Sequence, residues 1–147
     1  MYPLFLILHV LGATVWTGGH IVLVLAFLLE ALRRGDPEIV KFFESRYERV
    51  GVPALIVQVL TGLWLASAYV PDWRHWLAFD TPVSRMIGLK LLLLAATVAL
   101  AVDARVRLIP RLGENNLRAL AWHIVPVSVL AVLFAVVGVG LRVGGWF

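Results

Sequence analysis

Cysteine is absent from the 147 residues, and methionine occurs only twice, once as the first residue. The lack of thiols excludes disulfides, thiolate ligation of metals and thiol redox chemistry. With so little soft sulfur, a methionine-rich copper relay is disfavoured, although histidine alone can bind copper. Charge is also scarce: Asp, Glu, Lys and Arg make up 15% of the chain, against roughly 25% in soluble domains. The net charge of +4 gives no case for nucleic acid, because the basic residues sit at the edges of apolar segments. Internal repeats and low-complexity tracts are missing too.

Apolar sequence fills the space. The chain is 61% hydrophobic with a mean hydropathy of +0.92. The excess lies in four runs, at about 2–32, 50–70, 83–102 and 119–141. Each is long enough to cross a hydrocarbon core of ~30 Å at ~1.5 Å per helical residue. None shows the polar face that a soluble amphipathic helix presents every turn. The expected fold is all-α: one domain, a polytopic four-transmembrane-helix bundle with the lipid bilayer as its main partner. No Lys or Arg precedes the first run, which also exceeds a signal-peptide core, so it is expected to stay as a membrane helix.

Basic residues set the expected orientation. The first connection carries Arg33, Arg34, Lys41, Arg46 and Arg49, and the third carries Arg105, Arg107, Arg111 and Arg118. The other side has only Arg74, Arg85 and Arg142. This bias places the first and third connections in the cytoplasm and both termini outside, in a bacterium the periplasm. Asp36-Pro37-Glu38 reads as a helix start, so the second helix is expected to begin well before its apolar run. Trp73, Trp76, Phe79 and Trp146 suit an outer aromatic belt, and Pro53 and Pro126 are expected to bend their helices.

Within the apolar runs stand His9, His20, Lys90 and His123, with Gln58 and Asp103 near them. Ionisable groups are costly in lipid, usually face a bundle interior, and often mark a functional site. At ~100° per residue His9, Trp16 and His20 form one stripe, with the two imidazoles ~16 Å apart along the axis. They cannot share one metal ion. His9 and Lys90 are expected in one layer near the outer boundary, while His20 and Gln58 fall at comparable depth nearer the inner side. A His20–His123 pairing requires a depth correction. Ordinary roles compete at each position: glycine packing at Gly18 and Gly19, snorkelling of Lys90, a solvated His75, and a boundary ion pair of Asp103 with Arg105 or Arg107.

The stretches "LHVLGATVWTGGH", "ERVGVPALIVQVLTGLWLA" and "RMIGLKLLLL" resemble the CopD (copper resistance protein D) family of four-helix membrane proteins and the related HemJ-type membrane protoporphyrinogen oxidases. The resemblance spans nearly the whole chain. In HemJ-like proteins an early histidine and a third-helix lysine are associated with haem; the matching positions are His9 and Lys90. The ending "GVGLRVGG" and the "WTGGH" form are closer to single-domain CopD-type proteins. These likenesses imply a bacterial inner-membrane protein binding b-type haem and moving electrons, with a haem-dependent oxidoreductase activity left open. His9, His20, Lys90 and His123 are the candidate ligands, and Arg85 and Arg142 the candidate partners of propionates. Gly12, Gly18 and Gly19 would let a porphyrin approach. Copper transport or resistance at the same histidines is the alternative, and a structural subunit without cofactor the third reading. The implied partners are an unidentified redox protein or a periplasmic copper carrier; homo-oligomerisation is left open.

Overall fold

The computed structural model describes residues 1–111, 113 and 116–143. Among them, four helices are long and apolar enough to cross a membrane: α1 (Tyr2–Arg34), α2 (Glu38–Tyr69), α3 (Pro82–Arg111) and α4 (Leu117–Arg142). No strand occurs among the described residues. Trp146 of the expected aromatic belt lies outside them.

Two helices run past the limits expected from hydropathy. The turn between α1 and α2 is short because Gly35 adopts φ 68°, a left-handed conformation that glycine enters without a Cβ penalty. The Asp36 carboxylate then accepts from the Glu38 amide at 2.9 Å. Helix α2 therefore starts at Glu38, ahead of its apolar run, as the Asp-Pro-Glu signal predicts. Helix α3 starts with a capping box, the Thr81 hydroxyl and Ser84 exchanging hydrogen bonds with each other's amides, and continues beyond Val102 to Arg111. Its last turns widen to π-helical geometry at Ala104–Leu108. A similar widening at Leu23–Leu28 in α1 brings both of those leucines into the core. Pro53 and Pro126 lie inside helices that continue on both sides of them.

Helix α2 packs along α1, α1 against α4, and α4 against α3. The outward faces remain apolar and exposed, as at Leu4, Leu60, Leu92 and Val129, which suits contact with lipid tails. The two ends of the bundle differ. At the end bearing the basic connections, Leu23, Leu28, Ala31, Val40, Leu117, Leu120 and Ile124 form a closed apolar core. Trp16, Val127 and Ala131 make a second cluster. Toward the end bearing Met1, the helices instead line a partly open cavity of about 620 Å³.

Between α2 and α3 the chain makes a compact turn, Trp73–Leu77. Trp76 Nε1 donates to the Val70 carbonyl at 2.8 Å. Gly88 leaves room for the Phe79 ring, to which an added Cβ would come within 2.7 Å. Two of the three described belt aromatics are thus tied to the bundle, while Trp73 is 70% exposed. His75 stands between Asp80 (3.1 Å) and Asp72 (3.9 Å), all of them exposed. The Ser84 hydroxyl, and after it His75, hold the Asp80 carboxyl below the usual carboxylate range.

Candidate functional site

The stripe predicted on α1 is present: Gly12, Trp16 and His20 are its buried residues, and His9 is half-buried on the cavity wall. His9 Nδ1 lies 2.9 Å from the Gln58 carbonyl oxygen and 3.1 Å from Thr61 Oγ1. A carbonyl only accepts, so Nδ1 carries the proton. In the neutral ring the lone pair is then on Nε2. Metal-binding histidines are commonly oriented by this kind of bond from the other nitrogen. Thr61 is itself held, donating to the Val57 carbonyl at 2.6 Å.

The cavity also receives Lys90 from α3 and Arg142 from α4. Two glycines make space for the groups with chemistry. A Cβ on Gly62 would lie 2.9 Å from His9 Cε1, and one on Gly138 would lie 3.4 Å from Lys90 Nζ. Among the described residues no acidic side chain lines the cavity, and neither Lys90 nor Arg142 forms an ion pair. Two buried polar atoms of its wall residues, Trp16 Nε1 and Gln58 Oε1, have no hydrogen-bond partner among the described residues. Such orphans are expensive in a lipid environment and call for a water or a ligand.

Matched depth thus brings His9 and Lys90 to one cavity, with Arg142 beside them. Gln58 is a correction: it sits with His9 rather than at the level of His20. Because the Gly35 turn is so short, register is counted from the turn and not from the start of the apolar run. His20 accordingly meets Tyr47, Gly12 meets Ala54 and Gln58, and His9 meets Gly62.

The remaining sites lie elsewhere. His20 does not line the cavity; its Nδ1 donates to the Trp16 carbonyl at 2.8 Å, and its ring packs 4.3 Å from Trp16 and 5.8 Å from Tyr47. His123 is engaged at both nitrogens, with Asp103 at 2.8 Å and the Ala119 carbonyl at 3.1 Å. Asp103 also pairs with Arg107 at 3.1 Å, the expected boundary pair, whereas Arg105 pairs with Glu48 at 2.7 Å. Arg85 is exposed, off the cavity, and donates to the Phe79 carbonyl at 3.1 Å.

The glycines divide in the same way. Gly12 is occupied by helix contact, since a Cβ there would stand 2.9 Å from the Ala54 carbonyl oxygen. Gly19 and Gly51 both make room for the Tyr47 ring, whose hydroxyl donates to the carbonyls of Val15 and Trp16, each at 3.1 Å. Only Gly18, of the three glycines expected to admit a porphyrin, lines the cavity. Tyr47, Thr61, Gly62 and Gly138 carry no individual mark in the sequence. A small residue opposite each intramembrane His or Lys is the signal that would have found the glycines.

Among the described residues, no group of three or more His, Cys, Asp or Glu could hold a metal ion. A lone ion would find one imidazole and one amine here. A flat apolar ligand anchored by one or two nitrogens fits better, since the cavity is of the ~300–1,000 Å³ size used for organic ligands. Its locked imidazole and glycine recesses are compatible with haem.

No curated protein sequence and no solved structure matches the chain. The sequence profile of CopD, copper resistance protein D, matches residues 42–141, more than half of the chain. The matched part includes Gln58, Gly62, Lys90 and Gly138 of the cavity and leaves out His9 and Arg142. With that profile running through three of its four spanning helices, the chain belongs to the copper-resistance CopD family of multi-pass membrane proteins.

Proposed function

We propose that the chain holds one b-type haem in the cavity, with His9 and Lys90 as the residues that would hold its iron, and conducts electrons in a bacterial inner membrane. The observation that carries this reading is His9: its Nδ1 is committed to the Gln58 carbonyl, leaving Nε2 as the uncommitted nitrogen of a side chain on a roomy apolar cavity. A bound haem supplies one-electron redox chemistry. The protein supplies the rest. Gln58 and Thr61 orient the imidazole, Arg142 would meet a propionate, and the closed core at the basic end excludes water from that side. Lys90 must present a neutral amine to ligate.

The test is the reduced-minus-oxidised spectrum of purified protein, with metal analysis of the same sample. Stoichiometric haem supports the reading; its absence overturns it. Lys90→Met keeps length and apolar bulk but removes the nitrogen, so it should shift the haem spectrum or abolish binding while the protein still inserts. Full haem with an unchanged spectrum would remove Lys90 from the ligand set.

The family description, copper resistance, favours a second reading, copper transport or resistance at the intramembrane histidines. Stoichiometric copper without haem in the same measurement would select it. For either cargo we place the cavity toward the periplasm, since the basic connections lie at the opposite end of the bundle. A reporter fused to the C-terminus should report the periplasm, and one inserted near Arg111 the cytoplasm. The reverse result would turn the cavity toward the cell interior.

A further inference from the structure

The four helices do not form a closed ring. Along the α1–α2 seam, Tyr2 and Tyr69 share a hydrogen bond at 2.6 Å, Phe5 stacks on Trp64 at 4.2 Å, and Gly12 lets the backbones meet. The α1–α4 seam is tied by Thr17 donating to the Ala131 carbonyl at 3.2 Å, and α4 packs along α3. Helices α2 and α3 pack less closely than any of these pairs among the described residues, although Leu55 and Leu100 both reach the Trp16 cluster. A polar tie between them is the Glu48–Arg105 pair at 2.7 Å, at the basic end and away from the cavity. Both helices nevertheless line the cavity, α2 through residues such as Leu63, which is also 39% exposed, and α3 through Leu91.

We propose that the cavity is loaded sideways from the bilayer, through the cleft between α2 and α3, by an amphipathic carboxylate already dissolved in the membrane. The apolar walls of the cleft match the body of such a molecule. Its acid group meets Arg142, which has no acidic neighbour in the cavity and no ion pair among the described residues. Arg142 stands exposed at the end of α4, where the cavity meets the membrane boundary, so a ligand that brings a carboxylate gains a charge-assisted hydrogen bond there that a neutral one does not. A helix pair with little packing to break also opens at low cost. Haem, with its two propionates, is one such ligand, and to that extent the inference rests on the proposed function.

The test uses apoprotein reconstituted in lipid vesicles. Metal-free mesoporphyrin, delivered from donor vesicles and followed by fluorescence, is the first probe, because its binding needs the cavity and Arg142 but no iron ligation. The cysteine-free background allows a Leu63→Cys/Leu91→Cys variant to be bridged across the cleft with a bifunctional thiol reagent. Bridging before loading should slow uptake by about tenfold or more, while bridging after loading should leave the porphyrin in place. Leu91→Trp, which adds bulk without any reagent, should slow uptake likewise. Mesoporphyrin dimethyl ester should bind more weakly than the diacid, and Arg142→Gln should erase that difference.

Unchanged uptake after bridging overturns the lateral route, as does failure of the two thiols to bridge with reagents of any span. Equal binding of diacid and ester overturns the ligand class. Haem is the second probe and separates the two claims. If mesoporphyrin is gated by the cleft but haem is not ligated, the proposed function fails and the entrance stands. If haem binds and bridging leaves its uptake unchanged, the entrance fails and the haem site stands.

Discussion

His9→Ala protein should insert, fold and emerge almost free of haem. Removing a direct ligand should cost more than the ~10–100-fold in affinity that follows loss of an outer hydrogen-bond partner at a metal site. The stability cost is expected to be smaller in kind. The imidazole's bond to the Gln58 carbonyl is one interhelical hydrogen bond, and such bonds in membranes average ~0.6 kcal/mol and reach ~1.7. Haem content per protein, read from the absorption spectrum of purified variant and wild type, decides the matter. His123→Ala is the matched control: both nitrogens of His123 already face acceptors, Asp103 and the Ala119 carbonyl, so its haem content should be unchanged. A His9→Ala protein with full haem and the wild-type spectrum would rule out His9 as a ligand. His20→Ala adds a count of sites, since loss of one of two haem equivalents there would show a second site away from the cavity.

A large stability effect is expected at Gly12 and almost none at Gly18, six residues along the same helix. A Cβ at Gly12 meets the Ala54 carbonyl oxygen at 2.9 Å and Gln58 Cβ at 3.1 Å. The first of these is backbone and cannot rotate away, so α1 and α2 must separate. Overpacking of this kind costs about 1–3 kcal/mol. Gly12→Ala should therefore lower stability by that amount, and Gly12→Val by more. The same shift would carry His9 away from Gln58 and Thr61, so haem affinity should fall along with stability. At Gly18 a Cβ meets nothing within 4 Å. Gly18→Ala should change stability by no more than about 0.5 kcal/mol in either direction. Reversible denaturant unfolding in detergent measures both. Equal effects at the two positions would mean that the close α1–α2 approach does not set the stability of the bundle.

Hydropathy and helical spacing determine a good deal of this protein from the sequence alone. Four helices follow from four apolar runs of spanning length, because an unpaired backbone in lipid leaves the helix as the available solution for such runs. The α1 stripe of His9, Trp16 and His20 follows from the 3.6-residue period, and the start of α2 from Asp36-Pro37-Glu38. The shared layer of His9 and Lys90 follows from counting depth from the outer boundary, and the structure brings both to one cavity.

Tertiary structure decided what each of these residues faces. Depth counted from the edge of an apolar run placed Gln58 with His20, but the tight turn at Gly35 sets the register, so Gln58 and Thr61 hold His9 while Tyr47 packs on His20. His123 and Arg85 look like free nitrogens in the sequence, yet one binds Asp103 and the other the Phe79 carbonyl. Gly12, Gly18 and Gly19 are alike as letters. Packing makes the first a helix contact, the second a piece of cavity wall and the third a recess for Tyr47. The physical reason is common to all of them. Hydropathy and periodicity are properties of one helix in lipid, whereas a hydrogen-bond partner, a cavity or a clash belongs to two helices at once and depends on a register that a three-residue turn controls.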